Sequence, residues 1–259
     1  MHTYYMMMTA MAVLAVVVFI ALFFLKAGYG YLSGSHWGPK INNRVAWVLM
    51  ECPAFLFMLI YTVMHTVSGT DTGNSDTVLY IIAGLFLLHY FQRSFIFPLL
   101  IRGKGQMPVA IMLMGMVFNT ANSYFIGAWL FRYAPAGTYT AEWLASPQFI
   151  IGTLVFFTGM LINLDSDHVI RHLRKPGDTR HYIPKKGLYK YVTSANYFGE
   201  LTEWTGYAIL TWSPAGLLFA VWTFANLAPR AKALTAKYEE EFGDEYRSLH
   251  KKHLIPFIW

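Results

Sequence analysis

Charged residues are scarce in this sequence, and cysteine is almost absent. Asp, Glu, Lys and Arg make up 13% of the 259 residues, about half the share found in ordinary globular proteins. A soluble surface needs more charge than this, whereas a surface that faces lipid does not. The single cysteine, Cys52, excludes an internal disulfide and a cysteine-based metal cluster. The shortage of charge therefore argues against a soluble protein.

Two familiar binding motifs are also missing. No GxGxxG follows a predicted strand, so a nucleotide would not be held by a Rossmann fold. His168 and His172 are four residues apart, but no Glu stands beside His168 as in HExxH, and we expect no metal. The net charge of +6 comes from basic stretches that alternate with apolar ones. This alternation is typical of membrane topology, and we expect no nucleic-acid partner.

Apolar residues are abundant and occur in long runs. They make up 56% of the chain, and seven runs predict transmembrane helices. The first, 5–25, is long enough to cross a hydrocarbon core of about 30 Å. It lacks the basic start and the cleavage site of a secretory signal. The other six predicted spans are 45–67, 77–101, 108–131, 148–163, 192–212 and 215–227.

The basic residues predict the orientation of these spans. The segments 26–44, 102–107, 171–190 and 229–259 contain 18 of the 20 Lys and Arg residues. The intervening loops, 68–76 and 132–147, contain only Arg132. Because basic loops remain in the cytosol, we expect an amino terminus outside and a cytosolic carboxyl terminus. The membrane would be a bacterial inner membrane or an endoplasmic reticulum.

One domain, 1–259, accounts for the whole chain, since no internal repeat or low-complexity linker is present. We predict an all-α polytopic membrane protein with seven transmembrane helices. Residues 230–247, after Pro229, predict a polar, partly amphipathic helix at the cytosolic surface. This helix would either anchor the chain or fold over a site.

Ionisable side chains inside the predicted spans indicate a site. Glu51 lies in the second span, and Tyr90 and Arg93 lie in the third. A carboxyl, a phenol and a guanidinium at similar depth suit the polarisation of a carbonyl group. The alternative is a set of hydrogen bonds that only hold the helices together. The same alternative applies to the other polar residues in the spans: His65, His89, Asn119, Asn122, Glu200 and Glu203.

A second polar cluster lies where a predicted helix leaves the membrane. Asn163, Asp167, Arg171 and Arg174 are spaced by four, four and three residues, which places them on one helical stripe. Acids deep in the membrane and arginines at its edge suit a ligand with a sugar or amide inside and phosphates outside. The alternative is a basic anchor that contains an Asp167–Arg171 pair.

Five stretches resemble the steroid 5-alpha-reductase family in order and spacing. They are WVLMECP at 47–53, HYFQRSFIFP at 89–98, GMLINLDSDHVIRHLRKPGD at 159–178, YVTSANYFGELTEW at 191–204, and IPF at 255–257. The third is long and distinctive. The likeness extends over most of the chain.

The resemblance implies seven transmembrane helices, NADPH as the hydride donor and lipid-soluble enones as substrates. It implies that Glu51 and Tyr90 hydrogen-bond the substrate carbonyl, that Arg93 supports them and that Trp47 lines the pocket. The implied contacts with the cofactor are Tyr29, Arg102, Asn122, Asn163, Asp167, Arg171, Arg174, Asn196, Glu200, Arg230 and Tyr238. The chain departs from the family pattern at three positions: Met50 where Gln is frequent, Gln92 where His is usual, and His181 where Tyr is frequent.

These observations predict an NADPH-dependent oxidoreductase acting on CH–CH groups, which reduces the C4–C5 double bond of a 3-keto-Δ4 steroid. A related reductase of polyprenols, enoyl thioesters or other sterol double bonds would keep the cofactor and change the pocket. An S-adenosylmethionine-dependent methyltransferase would not need Arg171 and Arg174, because its cofactor has no phosphates. A transporter is disfavoured, since no pair of broken helices in related halves is visible. We expect the partners to be a hydrophobic substrate and membrane lipids, and the protein to be a monomer.

Overall fold

Helices form most of the regular structure in a computed structural model that describes residues 1–25, 32, 37–175, 178 and 180–259. In chain order, the helices and strands are α1 (His2–Phe24), β1 (Lys40–Asn42), α2 (Asn43–Ser68), α3 (Asp76–Phe91), α4 (Phe97–Leu100), β2 (Gln106–Pro108), α5 (Val109–Ala128), α6 (Pro147–Arg171), α7 (Ala195–Thr211), α8 (Pro214–Phe242) and α9 (Asp244–Arg247). Short 3₁₀ turns lie at Ala141–Ala145 and Gly187–Lys190.

Among the described residues, five helical stretches are long and apolar enough to cross a membrane. They are His2–Phe24, Asn43–Ser68, Asp76–Leu100, Val109–Tyr133 and Pro147–Arg171. The predicted all-α, multi-pass membrane fold is thereby confirmed. Helix α7 is shorter, with 17 residues, and contains two glutamates, while the second half of α8 is polar. The count of seven spans therefore stays a prediction.

Local signals in the sequence explain where several helices begin. The Asn42 side chain accepts hydrogen bonds from the backbone N–H groups of Arg44 and Val45, which caps α2. Ser146 and Ser213 cap α6 and α8 in the same way, and each is followed by proline at the first helical position. Gly69, with φ of 58°, ends α2 in the left-handed conformation that glycine adopts at low cost.

Helix α8 continues through Pro229, so the predicted start of a separate helix after this proline is wrong. Proline removes one backbone N–H donor, but a helix can tolerate that loss where packing holds it on both sides. Here Ala228 and Ala231 are buried against Leu254 of the carboxyl-terminal segment. The helix ends instead at Gly243, with φ of 53°, and α9 follows directly.

Helices α6 and α7 approach each other closely through glycines. A methyl group added at Gly159 would collide with the backbone of Glu203, and one added at Gly199 would collide with the backbone of Asn163. Small residues of this kind allow helices to pack backbone to backbone in membranes. Gly152 and Gly206 make the equivalent contacts further along the same pair. The close approach brings the polar faces of α6 and α7 together.

Strands β1 and β2 pair antiparallel and fix the relative depth of two helices. Ile41 lies opposite Met107, and α2 and α5 begin immediately after the two strands. At 1.5 Å per residue, Glu51 in α2 and Asn119 in α5 lie about 12 and 15 Å from these starts. The small sheet therefore brings the two side chains to the same level.

Candidate active site

A cavity of about 1800 Å³ occupies the half of the bundle in which α2 and α5 begin and α6 ends. Apolar side chains such as Leu14, Val18 and Phe118 line its inner part. Arg102, Arg174 and other polar residues line the part near the helix ends. Small-molecule sites usually enclose about 300–1,000 Å³. The cavity is therefore large enough for two ligands of different polarity.

Glu51, Tyr90 and Asn119 form a polar cluster in the wall of this cavity. The Asn119 Nδ2 atom donates to Glu51 Oε2 at 3.1 Å, and the Tyr90 hydroxyl donates to Asn119 Oδ1 at 3.2 Å. Tyr90 is held from behind by the rings of Phe86 and Trp204, at centroid distances of 4.6 and 5.7 Å. The predicted carbonyl-binding pair is thus brought together, with an amide joining its two members.

Arg93 lies in a π-helical segment, Gln92–Ile96, that extends α3. Its Nη1 atom donates to Asp167 Oδ2 at 3.0 Å, and both side chains are about nine-tenths buried. The guanidinium also lies over the rings of Trp47 and Phe97, at 5.1 and 4.3 Å from their centroids. Arg93 therefore connects the extension of α3 to Asp167 of α6.

The polar face shared by α6 and α7 forms the next part of the wall. Asp167, Asn196 and Glu200 line the cavity. Asn163 Nδ2 donates to the Asn196 carbonyl oxygen at 2.9 Å, and the Tyr189 hydroxyl donates to Asn196 Oδ1 at 3.3 Å. Carboxylates and amides at this depth can hydrogen-bond the hydroxyl and amide groups of a ligand.

Basic side chains surround the outer part of the cavity. Arg171 Nη1 is buried and has no hydrogen-bond partner among the described residues. Arg102 Nη2 lies 3.0 Å from His172 Nε2, and Arg230 Nη2 donates to the Tyr197 hydroxyl at 3.1 Å. A buried guanidinium N–H without an acceptor is costly unless a ligand supplies one. This region therefore suits an anionic group.

A segment made up of Asp178 and residues 180–190, in the described part of the chain, borders the outer part of the cavity and is tied to the carboxyl-terminal region. His181 Nδ1 lies 2.6 Å from Glu241 Oε1, and Lys185 Nζ lies 3.0 Å from Glu245 Oε1. Lys251 Nζ donates to the Pro184 carbonyl oxygen at 2.6 Å. Burial and the nearby Lys185 lower the pKa of Lys251 to about 8. These contacts hold the segment against α8 and α9.

Asp178 lies at the start of the same segment and lines the cavity. Hydrogen bonds from Arg180 and Tyr182 hold the pKa of its carboxyl below the usual range. The carboxylate is therefore ionised throughout the physiological range. Its two oxygens are occupied by those donors at 2.6–3.2 Å, which orients the start of the segment.

Most of the predicted site residues meet in this cavity. Twelve line it: Trp47, Glu51, Tyr90, Arg93, Arg102, Asp167, Arg171, Arg174, Asn196, Glu200, Arg230 and Tyr238. Asn122 and Asn163 lie behind the wall, and Asn163 acts on the cavity by holding Asn196. Arg174 is not on the helical stripe that its spacing predicts, because α6 ends at Arg171. Tyr29 lies outside the described residues.

Sequence reasoning did not assign two further features of the site. Asn119 joins Glu51 to Tyr90, and His89 Nδ1 lies 2.7 Å from Glu203 Oε1 in a buried pair directly behind Tyr90. The only signal in the sequence was a polar residue in each apolar span. Which of these residues face one another depends on the rotation of each helix, which the spacing alone does not determine.

The fold and the cavity are those of an integral membrane protein with a large cavity among its helices. The model of the family described as 3-oxo-5-alpha-steroid 4-dehydrogenase matches residues 105–259. The chain is 38% identical to 3-oxo-5-alpha-steroid 4-dehydrogenase 1 of Bos taurus over 245 residues, which cover 95% of this chain and 93% of the relative. It is 37% identical to the Homo sapiens protein of the same name, covering 98% and 96%. It is 39% identical to steroid 5-alpha-reductase DET2 of Gossypium hirsutum, covering 95% and 94%.

The chain belongs to the 3-oxo-5-alpha-steroid 4-dehydrogenase family. The predicted family is confirmed, and with it the enzyme class, an oxidoreductase acting on CH–CH groups.

Proposed function

We propose that this protein reduces the C4–C5 double bond of a 3-keto-Δ4 steroid with NADPH as the cofactor. The observation that carries the proposal is the placement of Glu51 and Tyr90 on either side of Asn119, in a cavity whose inner part is lined by apolar side chains. A steroid enone is a rigid apolar body with one carbonyl oxygen at its end. Such a ligand needs apolar walls and hydrogen-bond donors at a single point, which this part of the cavity provides.

The chemical role of the pair follows from where charge develops. When the β-carbon of an enone is reduced, negative charge builds up on the carbonyl oxygen. The Tyr90 hydroxyl and a protonated Glu51 carboxyl can both donate hydrogen bonds to that oxygen. Donors of this kind, preorganised in a site without water, typically stabilise a transition state by about 3 kcal/mol each. Glu51 and Tyr90 therefore act by polarising the carbonyl.

The surrounding side chains keep this position dry and oriented. Trp47 and Phe97 pack against each other at 5.0 Å and cover the Arg93 guanidinium. The Arg93–Asp167 ion pair is buried beneath them. A desolvated ion pair adjoining the donors strengthens the local electrostatic field, because water does not screen it.

The polar part of the cavity fits a dinucleotide. Bound NADPH supplies the hydride. All six polar residues line this part: Asp167, Asn196 and Glu200 would hold amide and sugar groups, and Arg102, Arg171 and Arg174 would hold phosphates. The fit is supported by Arg171 Nη1, which is buried and lacks an acceptor among the described residues. Arginine binds phosphate oxygens strongly because its N–H groups form a fixed fork.

The orientation in the membrane is part of the same proposal. We place the basic ends of the helices in the cytosol, with the amino terminus of α1 outside, according to the distribution of Lys and Arg. The outer part of the cavity then faces the compartment that contains a soluble cofactor, whereas the apolar part is accessible to lipid-soluble substrates. The membrane would be a bacterial inner membrane or an endoplasmic reticulum.

The decisive experiment is turnover by the purified protein in detergent. NADPH oxidation would be followed optically while 3-keto-Δ4 steroids, a polyprenol and an enoyl thioester are supplied in separate reactions. We expect oxidation only with the steroid enones and a 5α-reduced product in stoichiometric amount by mass spectrometry. Turnover with another lipid and none with any steroid enone would contradict the proposed substrate while leaving the family unchanged.

A further inference from the structure

Asn119 contacts both members of the proposed carbonyl-binding pair. It lies in α5, is only 5% exposed and lines the cavity. Its Nδ2 atom donates to the Met50 carbonyl oxygen at 2.8 Å and to Glu51 Oε2 at 3.1 Å, and its Oδ1 accepts from the Tyr90 hydroxyl at 3.2 Å. Asn119 therefore links a side chain of α2 to a side chain of α3 at the site.

The contact with Met50 fixes the orientation of the amide. A backbone carbonyl can only accept, so the side-chain atom of Asn119 that faces the Met50 oxygen must be the nitrogen. The amide oxygen then has to face Tyr90. An asparagine rotated by 180° would set two acceptors against each other at 2.8 Å. The orientation is thus determined by the helix backbone and not by the pair that it serves.

This orientation assigns a role to each oxygen of the pair. Glu51 Oε2 accepts from Asn119, so the proton of a neutral Glu51 resides on Oε1, which remains available to donate to a ligand. The Tyr90 hydroxyl donates its single proton to Asn119 Oδ1, which fixes the position of the hydroxyl oxygen and keeps the proton paired in a buried site. An arriving carbonyl oxygen can accept from Glu51 Oε1, and from Tyr90 once its hydroxyl proton has rotated from Asn119 toward the ligand, without rearrangement of the backbone.

We propose that Asn119 is a positioning residue, which sets the direction of the Glu51 and Tyr90 donors and so determines the preference for a ligand with a carbonyl group at this point. The inference rests on the proposed function, because it assigns Asn119 to the pair that binds the carbonyl. The competing explanation is that Asn119 only joins α2 to α5 as an interhelical hydrogen bond. The two explanations differ in what they predict for ligands without a carbonyl group.

The test compares two ligands on the protein loaded with NADP⁺, so that no turnover occurs. Binding of a 3-keto-Δ4 steroid and of its 3-deoxy analogue would be measured by quenching of tryptophan fluorescence. Asn119→Leu keeps a similar volume and removes all three hydrogen bonds. We expect it to weaken binding of the ketone by about tenfold and of the 3-deoxy analogue by less than about twofold, since one polar contact contributes on the order of tenfold. Equal weakening of both ligands would overturn the inference.

A double-mutant cycle on turnover separates this inference from the proposed function. If Asn119 acts through Tyr90, the fold-loss caused by Asn119→Leu should be clearly smaller in a Tyr90→Phe background than in the natural chain. Independent, multiplicative losses would contradict a positioning role. Near-normal turnover of Tyr90→Phe would instead overturn the donor role of Tyr90, whereas absence of steroid-enone turnover by the natural chain would overturn the proposed function, so the results are distinguishable.

Two further variants show whether an effect of Asn119→Leu results merely from a loss of folding. Ser123→Ala removes a buried hydroxyl that donates to the Asn119 backbone carbonyl at 2.7 Å and leaves the amide untouched. It should behave as the natural protein in both assays. Asn119→Ser removes the amide with a smaller side chain and should reproduce the ligand preference of Asn119→Leu if the leucine variant does not fold. An unchanged ketone preference in the serine variant would overturn the inference.

Discussion

The proposed chemistry depends on the Tyr90 hydroxyl, whereas the packing around Tyr90 depends little on it. Its ring packs on Phe86, His89 and Trp204, and phenylalanine would keep those contacts. Tyr90→Phe should leave folding and NADPH retention close to normal and lower turnover by roughly two orders of magnitude, as expected for one lost oxyanion donor. Glu51→Gln, which keeps a donor, should be milder than Glu51→Leu. Near-normal turnover of Tyr90→Phe and Glu51→Leu, measured by NADPH oxidation, would exclude this pair from catalysis.

A substitution at Arg171 tests whether the polar part of the cavity binds the cofactor. Its Nη1 atom is buried and has no acceptor in the described part of the chain, so its removal breaks no hydrogen bond at that atom. Arg171→Ala should therefore change the thermal stability of the cofactor-free protein little. The same change should raise the apparent KM for NADPH by roughly 10- to 150-fold. This corresponds to a binding free energy of about 1.5–3 kcal/mol, the usual contribution of a charge-assisted contact.

The matched control for Arg171 is Arg132→Ala. Arg132 is exposed in the π-helical segment Trp129–Tyr133, which extends α5 at the opposite end of the bundle, and its guanidinium lies 5.5 Å from the centroid of the Tyr133 ring. This variant removes the same charge and should not alter the KM for NADPH. If both variants had the same KM for NADPH, Arg171 would not be a phosphate contact but a basic anchor at the membrane surface.

At the scale of helices, the contact between α6 and α7 positions the polar wall of the cavity. Gly159→Ala would force a methyl group against the Glu203 backbone, and the two helices would have to separate. Overpacking of this kind typically destabilises a protein by about 1–3 kcal/mol. We expect a lower Tm in detergent together with weaker NADPH retention, because Asn163 and Asn196 are held by the same helices.

Gly84→Ala is the control for this prediction. Gly84 lies within α3, is exposed, and would place a methyl group in open space. Since alanine is favoured over glycine inside helices by about 0.5–1 kcal/mol, Gly84→Ala should raise the Tm slightly or leave it unchanged. If Gly159→Ala were as stable as Gly84→Ala, close packing of α6 on α7 would not be what holds the polar wall.

The sequence predicts the helices well and their ends less well. Apolar runs and charge spacing predict the long spans, and Ser146 with Pro147 is a recognisable helix start. Pro229 is misleading because its effect depends on tertiary packing, which the sequence does not display. The π-helical segment that carries Arg93 has no sequence signal of its own, although it determines the direction in which Arg93 points.

For the site, too, the sequence predicts which residues take part but not how they are arranged in the fold. Polar residues in apolar spans, together with the family resemblance, predict twelve side chains that line the cavity. The partner of each residue was not predictable: Arg93 pairs with Asp167, and Asn119 stands between Glu51 and Tyr90. Pairing depends on the rotation and depth of helices that are distant in sequence. Position 119 is separated from position 51 by 68 residues, and only the fold brings them together.

At the scale of the whole molecule, the two ends of the bundle differ in charge. The described parts of 102–107, 171–190 and 229–259 lie at one end and are rich in Lys and Arg. The segments 68–76 and 132–147 lie at the other end, and their one Lys or Arg residue is Arg132. Positive residues near short loops determine which end remains in the cytosol. We therefore expect the cavity mouth, which several of these basic residues line, to face the cytosol.

Reporter fusions test this orientation. A reporter that is active only in the cytosol should be active when fused after Trp259 and inactive when inserted at Gly137, an exposed loop glycine with open space around it. A reporter active only outside should give the reverse result. If only one of α7 and α8 crossed the membrane, two crossings would separate Gly137 from the carboxyl terminus, and both positions would report the same side. An externally active fusion after Trp259 would contradict the seven-span arrangement, and with it the access of the proposed NADPH site to the cytosol.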